Sequence, residues 1–594
     1  MGVESWRLGI DNDQRQDQDL MQIIRNRTQY DVCVVGSGAG GGMAAMVLAE
    51  AGASVVMLEA GPMWDATLDT AMYKWPYQTP RRGAATPERH FGEFDAALGG
   101  WSLDGEPYTS APGSQFDWFR SRMLGGRTNH WGRISLRFGP DDFRRKSIDG
   151  LGDDWPITYD DVKPYYDKID RFIGIFGTNL PQFHNEPDGI FMPPPAPRCY
   201  ELLIKKACGK LNVPSVPSRL SILTQPLNGR PPCHYCSQCG RGCSTHSNFS
   251  SPSVLIPPAL KTGRLKIITN AMAREVTVDT TGLADGVTYI DKNSSRDNHV
   301  RARIVVLAAS ACESARILLN STSAKFPQGL GNSSGVVGKY LTDSTGTSVR
   351  GFIPALMDGT PHNEDGTGGM HLYTPWWLDN KKLDFPRGYH IEPSGGRRMP
   401  NAGFGGGIHT YATNDPNGRP VSFGGYGKQL KNDYRRLYGA TVNFAGRGEQ
   451  IPNQDSYCEL DPTVVDKWGI PVLRFHFKWS DYEYKQVKHM QETFRAIITG
   501  MGGTPFGTMP RAEEGYGIEA GGRIIHEVGV TRMGNDPSTS VLNKYCQAHD
   551  AKNVFVADAG PFVSQADKNC TWTILALAMR TAEYIAEQRK LGTV

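Results

Sequence analysis

The segment Tyr30-Asp-Val-Cys-Val-Val-Gly-Ser-Gly-Ala-Gly-Gly41 decides the fold of this chain. Its first half is a short β-branched run typical of a buried strand, and its glycine cluster fits the pattern G-x-G-x-x-G. Residues Met43 to Ala51, rich in Ala, Met and Leu, predict a helix, and Ala53 to Glu59 predicts a second buried strand. Together these elements form one βαβ unit.

The glycines of this unit predict a dinucleotide site. Gly36 permits the tight turn, Gly38 lets the backbone approach a pyrophosphate, and Gly41 allows close helix–strand packing. The helix N-terminus offers N–H groups and a positive dipole end to the phosphates, and Glu59 stands where an acid binds a ribose hydroxyl. The alternative is a glycine-rich turn without a ligand. FAD and NAD share this fold, and a glycine pair near residue 125 favours FAD.

Charge and hydropathy exclude several classes of protein. Lys+Arg total 64 against 61 Asp+Glu, so the net charge of +3 leaves no electrostatic footprint for a nucleic acid. No run reaches the ~18 consecutive apolar residues of a membrane span. The N-terminus lacks the apolar core of a secretory signal. We therefore expect a cytoplasmic protein, or a periplasmic one if an exported partner subunit carries it.

The pattern of strands and helices predicts an α/β fold, α+β overall, with a discontinuous Rossmann-like FAD-binding domain and a substrate domain based on a β-sheet. The expected segments are an N-terminal arm (1–28), FAD-binding parts (29–150, 259–344 and 516–594), a helical and Cys-rich insert (151–258) and the substrate domain (345–515). Within the insert, residues 158–176 have helical periodicity, and Pro164 is expected to divide that helix in two.

Three further segments carry a family resemblance: Met123-Leu-Gly-Gly-Arg-Thr-Asn-His-Trp-Gly132, His526-Glu-Val-Gly-Val-Thr-Arg-Met-Gly534 and Val554 to Thr573. With the βαβ unit, they resemble the glucose-methanol-choline (GMC) oxidoreductases from about residue 29 to about 588. The Asn-His-Trp variant and Asp154-Trp-Pro156 are most similar to the sugar-oxidising branch, which includes pyranose oxidases, fructose and gluconate dehydrogenases and glycoside 3-dehydrogenases. The resemblance implies FAD and oxidation of an alcohol carbon, C3 being one candidate, of a sugar or glycoside.

The resemblance also implies roles for individual residues. His526 matches the base that takes the hydroxyl proton, and Asn569 matches the partner that donates a hydrogen bond to the substrate oxygen. Val530 stands where the family usually has threonine. Asp558 matches an acid near the flavin diphosphate or ribityl chain, with a turn cap as its alternative. The loop expected to approach the flavin ring contains Gly125, Gly126, Asn129 and His130.

Two questions about this site stay open at the level of sequence. His130 aligns with a histidine that bonds the flavin covalently in pyranose oxidases, and packing against the isoalloxazine is the other interpretation. In the substrate domain, Trp376, Trp377, His390 and Glu392 are candidates for stacking and hydroxyl recognition. Alternative functions are an oxidase that reduces dioxygen, a non-redox hydroxynitrile lyase on the same scaffold, and a flavin-binding structural subunit.

A cysteine segment predicts a possible second cofactor. Cys233, Cys236, Cys239 and Cys243 have ferredoxin-like spacing. Glucose and fructose dehydrogenases of the same branch resemble this chain at Cys233, Cys239 and Cys243, which implies an iron–sulfur cluster. Zinc, disulfides and free thiols are the alternatives. A cluster would favour a dehydrogenase that passes electrons to a small partner subunit or a cytochrome.

Overall fold

The computed structural model describes residues 24–70, 78, 98–358, 366–376, 383–396, 412–414, 420–422 and 426–594. Its α-helices are α1 (Ala39–Glu50), α2 (Arg145–Asp149), α3 (Tyr159–Ile173), α4 (Cys199–Lys210), α5 (Ser251–Val254), α6 (Ile256–Lys261), α7 (Ala311–Asn320), α8 (Gly427–Leu437), α9 (Asp481–Gly500) and α10 (Thr571–Leu591).

The strands of the same residues are β1 (Ile24–Val35), β2 (Val55–Leu58), β3 (Gly99–Gly100), β4 (Thr109–Ser110), β5 (Arg120–Ser121), β6 (Val216–Pro217), β7 (Leu265–Ile268), β8 (Ala271–Val278), β9 (Ala284–Asp291), β10 (Arg296–Leu307), β11 (Ser348–Phe352), β12 (Leu372–Trp376), β13 (Tyr389–Gly395), β14 (Ala412–Asn414), β15 (Pro420–Ser422), β16 (Thr441–Gly448), β17 (Tyr457–Val465), β18 (Pro471–His476), β19 (Thr504–Pro505) and β20 (Val554–Val556).

The larger sheet has the strand order β7-β2-β1-β10-β9-β8, and β20 pairs with β10. The pairs β7–β2, β2–β1, β1–β10 and β10–β20 are parallel, whereas β10–β9 and β9–β8 are antiparallel. Val32 to Val35 are buried, because both faces of a parallel sheet are covered by other elements. Since its strands come from three distant parts of the chain, the predicted discontinuous Rossmann-like domain is confirmed.

The second sheet has the order β19-β11-β16-β13-β12-β6. Its strands pair in antiparallel fashion. The apolar side of α9 packs on this sheet, with Met490 and Phe494 in one buried cluster with Ile391 and Phe444. This arrangement confirms the prediction of a sheet-based second domain.

Two local expectations differ from the structure. The chain forms one continuous helix, α3, through Pro164, which was expected to divide it. Pro164 and Asp160, whose carbonyl lacks an N–H partner because of the proline, are both exposed, so water can bind that carbonyl. Strand β1 begins at Ile24, inside the arm predicted for residues 1–28, and residues 1–23 lie outside the described residues.

Among the described residues, no helix is long and apolar enough to cross a membrane.

Candidate active site

The glycine loop between β1 and α1 is shaped by close backbone contacts. Gly36 has φ +99°, and a Cβ there would lie 2.3 Å from the carbonyl oxygen of Ala308. A Cβ on Gly41 would lie 2.0 Å from the Gly36 oxygen, and one on Gly40 would lie 1.6 Å from the Ala557 oxygen. At Gly38 a Cβ would meet nothing within 4 Å. Gly36, Gly40 and Gly41 thus have no room for a side chain, because the neighbouring backbone packs against them. Gly38 borders open space, as expected where the backbone approaches a ligand.

One cleft runs from this loop to strands β13 and β16 of the second sheet. Of the residues predicted from sequence, it is lined by Gly36, Gly38, Glu59, Gly126, His130, Asp558, His526 and Asn569. The other predicted nucleotide-site residues do not line the cleft but shape the segments that line it: Gly41, Gly125 and Asn129. The dinucleotide motif and the histidine–asparagine pair therefore share one cavity, although several hundred residues separate them in sequence.

Ser37, which sequence reasoning overlooked, connects the two glycine loops. Its hydroxyl donates to a carboxylate oxygen of Glu59 and accepts from the N–H of Gly125 at 2.8 Å. The Gly61 N–H donates to the other Glu59 oxygen at 2.8 Å. Burial raises the pKa of Glu59, although these hydrogen bonds act to lower it. The carboxylate is thus held in place at the cleft wall, where it can accept from a ribose hydroxyl.

The loop after Gly125 contains two polar side chains, of which His130 lines the cleft and Asn129 lies just behind it. The side-chain amide of Asn129 donates to the Leu124 carbonyl at 2.8 Å, and its Oδ1 is buried without a partner in the described part of the chain. His130 Nε2 lies 3.1 Å from the hydroxyl of Ser121, and its ring meets Phe119 edge-on. Burial, followed by the nearby arginines, lowers the pKa of His130 to about 3, so the imidazole is neutral.

Asp558 both caps a turn and lines the cleft. It accepts from the Ser314 hydroxyl at 2.6 Å and from the Gly560 N–H at 2.8 Å. Burial raises the pKa of Asp558 to about 6. The two interpretations of this residue are therefore compatible, because the local turn fixes a carboxyl that faces the cavity.

His526 and Asn569 meet at the far end of the cleft. The Asn569 Nδ2 lies 3.1 Å from Glu392 Oε1 and 3.3 Å from His526 Nε2. Since a carboxylate only accepts, the Asn569 atom facing it must be the NH₂ group, which then also donates to His526 Nε2. Asn569 Oδ1 is buried and has no partner within the described residues. Burial, reinforced by Arg447, lowers the pKa of His526 to about 3, so the imidazole is neutral, and Nε2, which accepts from Asn569, is its unprotonated nitrogen.

Glu392, on β13, belongs to the same polar group. It accepts from His390 at 3.1 Å and pairs with Arg447 on β16 at 3.2 Å. Burial opposes its ionisation, but Arg447 and these hydrogen bonds hold the pKa of Glu392 at about 2. Glu392 and Arg447 line the cleft. His390, another candidate for substrate recognition, is buried against the Asp567 carbonyl. The other two candidates cannot be placed, since Trp377 and the side chain of Trp376 lie outside the described residues.

No motif in the sequence indicated a role for Arg447. His390 and Arg447 are paired across β13 and β16, and this register brings the guanidinium to Glu392. A salt-bridged carboxylate beside a neutral imidazole and an amide forms a set of donors and acceptors suited to several hydroxyl groups of one substrate.

The cysteine segment does not form the predicted ligand set. All eleven cysteines of the chain are free, and no group of three or more His, Cys, Asp or Glu side chains in the described ranges is arranged to hold a metal. The four thiols are nevertheless neighbours, since Cys233 interacts electrostatically with Cys236, Cys239 and Cys243. Burial raises the pKa of Cys233 to about 12 and that of Cys236 to about 11. The four thiols thus lie together without the geometry of a ligand set, and the iron–sulfur cluster stays a prediction.

Comparison with known proteins identifies the class of enzyme. The GMC oxidoreductase family matches residues 108–345 and 452–578, and an FAD binding domain matches residues 31–101. The chain belongs to the GMC oxidoreductases. It is an FAD-dependent enzyme that acts on CH–OH groups, as its sequence predicts.

Three similar proteins extend over nearly the whole chain. It is 28% identical to the 2-methyl-1,2-propanediol dehydrogenase of Mycolicibacterium austroafricanum, over 94% of this chain and 96% of that one. It is 25% identical to the fructose dehydrogenase large subunit of Gluconobacter japonicus, over 95% and 98%. The structure of formate oxidase from Aspergillus oryzae RIB40 shares the fold, with a TM-score of 0.64, 14% identity and coverage of 95% and 99%.

Proposed function

We propose that this enzyme oxidises an alcohol carbon of a sugar or glycoside to a ketone, with C3 as one candidate, and that His526 is the base. The observation that carries the proposal is the 3.3 Å contact between His526 Nε2 and Asn569 Nδ2 in a cleft shared with the glycine loop. Bound FAD would supply the hydride acceptor at flavin N5. Gly38, Glu59 and Asp558 would hold its nucleotide portion.

The geometry supports a division of labour between the two side chains. A pKa of about 3 makes the His526 ring neutral at neutral pH, and Nε2, which accepts from Asn569, is the unprotonated nitrogen that can take the hydroxyl proton. A substrate oxygen that takes the place of the Nε2 contact can accept from the same Asn569 N–H, which would stabilise its developing negative charge. Glu392 keeps the other hydrogen of the same amide occupied, which fixes the amide's orientation.

A polyol substrate fits the chemistry of the cleft better than a simple alcohol. Glu392 and Arg447 place a carboxylate and a guanidinium beside the reacting position, and each can bind a further hydroxyl. The relatives named for a diol and for fructose act on substrates with more than one oxygen function. We assign hydroxyl recognition to this pair and expect substrates that lack neighbouring hydroxyls to bind weakly.

The test is anaerobic mixing of the FAD-loaded enzyme with a panel of hexoses, glycosides and simple diols, followed by flavin absorbance. We expect bleaching by a sugar or glycoside, and a His526→Gln variant that keeps its flavin but bleaches at least about 100-fold more slowly. Bleaching by simple alcohols only would contradict the sugar assignment. Substrate turnover without bleaching would favour the lyase alternative, and full turnover by the variant would reject His526 as the base. No turnover of any substrate by the wild type would favour the structural-subunit interpretation.

Admitting air or a dye acceptor to the reduced enzyme distinguishes a dehydrogenase from an oxidase. We propose a dehydrogenase, because the relative from Gluconobacter japonicus is named a large subunit and thus has a partner. Slow reoxidation by dioxygen and fast reoxidation by the dye are expected, whereas the reverse order would make the enzyme an oxidase. A small subunit or cytochrome, and export with such a partner, remain predictions.

The iron–sulfur cluster also remains a prediction, supported by the spacing and mutual proximity of the four thiols. Iron and sulfide analysis of anaerobically purified enzyme tests it. Cys239→Ser should abolish any iron signal while the flavin stays bound. Zinc in place of iron, or neither metal, would reject the cluster. A covalent bond to His130 is tested by whether the flavin remains attached after acid denaturation.

A further inference from the structure

A buried hydrogen-bonded bridge joins the proposed base to the loop of its partner. His526 Nδ1 lies 3.0 Å from the hydroxyl of Ser344. The amide nitrogen of Gln565 lies 3.4 Å from that hydroxyl and 3.0 Å from the carbonyl oxygen of Lys568, which directly precedes Asn569. Ser344 and Gln565 are fully buried, and neither lines the cleft.

The direction of these hydrogen bonds follows from which groups can only accept. The Lys568 carbonyl accepts, so the Gln565 atom that faces it is the NH₂ group, and the same group donates to Ser344. At the other side of the ring, the Asn569 atom that faces both the Glu392 carboxylate and His526 Nε2 is the NH₂ group, because the carboxylate can only accept. His526 Nε2 therefore accepts from Asn569. The proton of the neutral imidazole is therefore on Nδ1, and the Ser344 oxygen accepts it.

We propose that Ser344 and Gln565 are positioning residues for the oxidation. Ser344 keeps the proton of His526 on Nδ1 and the lone pair of Nε2 toward the cleft, and Gln565 fixes Ser344 relative to the loop of Asn569. The proposal rests on the function assigned above to His526. A neutral hydroxyl suits this task, because it orients the ring without placing a negative charge beside it.

The protonation state of the ring can be measured without any substrate. Solid-state ¹⁵N spectra of histidine-labelled holoenzyme distinguish Nδ1–H from Nε2–H, and His526→Gln identifies the signals of this residue. Because the Asn569 amide also favours Nδ1–H by donating to Nε2, the variants are compared in an Asn569→Leu background, in which we expect Nδ1–H without a further change and with Ser344→Thr, and a mixture of both forms with Ser344→Ala. Nδ1–H alone in the flavin-loaded Asn569→Leu enzyme that also carries Ser344→Ala would overturn the proposal.

Kinetics supply the second measurement. In Ser344→Ala and Gln565→Met we expect the limiting rate of flavin reduction to fall about tenfold, with the apparent Kd of the substrate changed by less than about twofold. The matched control is Gln491→Met, which removes an equivalent buried amide–hydroxyl bond, to Thr347 at 2.8 Å, from a residue that does not line the cleft. An equal loss in the control, or a loss of substrate affinity alone, would refute a positioning role. A wild type that no alcohol reduces would instead reject the proposed function, and the ¹⁵N result would still decide the role of Ser344.

Discussion

Asn569 Nδ2 lies 3.3 Å from His526 Nε2, although 43 residues separate the two in sequence. The N–H of one residue thus points directly at the lone pair of the other. A substrate hydroxyl that replaces this contact could donate to the imidazole and accept from the amide, so the pair marks the expected position of the reacting oxygen.

Removal of the Asn569 amide should slow the reaction more than it weakens binding. For Asn569→Leu, which is similar in size, we expect the limiting rate of flavin reduction to fall about 100-fold, as for other donors to a developing oxyanion. Rapid mixing under anaerobic conditions measures this rate. The flavin content and the melting temperature serve as controls. An unchanged limiting rate combined with weaker substrate binding would show that Asn569 only recognises the ground state.

The low pKa of His526 predicts how the rate depends on pH. Since burial and Arg447 lower this pKa to about 3, the base stays unprotonated, and the rate of flavin reduction at saturating substrate should be flat from pH 8 to about pH 5. Arg447→Met removes a positive charge and should raise the pKa of His526 toward its ordinary value. The rate of that variant should then decline as the pH falls through the raised pKa. Identical profiles for both enzymes would contradict this electrostatic effect.

Two glycines of the same loop should respond to alanine in opposite ways. A Cβ on Gly41 would lie 2.0 Å from a backbone oxygen, whereas a Cβ on Gly38 would meet nothing within 4 Å. Gly41→Ala should therefore impair folding of the apoprotein. Gly38→Ala should leave the apoprotein's melting temperature unchanged but weaken FAD binding by about tenfold or more, because the methyl group would occupy space meant for the pyrophosphate. Fluorescence titration with FAD provides the affinity, and equal affinity for Gly38→Ala and wild type would place the cofactor elsewhere.

The local unit of the nucleotide domain could be predicted because its signals lie close together in sequence. The strand before Gly36, the helix after Gly38 and the acid at Glu59 are all set within one short segment, and the structure places them as expected. Pro164 shows the limit of such local rules, since the buried face of α3 and its Thr158–Asp161 capping box outweigh the loss of one hydrogen bond.

The polar group around the proposed base could not be predicted in full, because it depends on contacts between distant elements. Arg447 reaches Glu392 only through the register of β13 with β16. Ser344 belongs to no motif, Gln565 lies in the Val554–Thr573 segment without a role of its own there, and their contact exists only once these distant parts of the chain pack together. The cysteine segment stays a prediction, since its spacing is ferredoxin-like and no group of three or more His, Cys, Asp or Glu side chains in the described part of the chain is arranged to hold a metal.

A buried cation beside Asn569 should be important for stability. Lys568 Nζ lies 3.0 Å from Asp142 and 2.7 Å from Asp567, and the side chain is 1% exposed. Lys568→Met would leave the buried carboxylate of Asp567 without its cation and Asp142 with Arg145 alone, which should cost about 3–5 kcal/mol and lower the urea midpoint of the holoenzyme. The control is Lys168→Met, which breaks an exposed pair with Glu583 and should cost about 1 kcal/mol or less. Asp567→Asn in the Lys568→Met background should recover part of the loss, because it removes the carboxylate that is left without a cation. Equal effects of Lys568→Met and Lys168→Met would show that the buried cation contributes no more than a surface one.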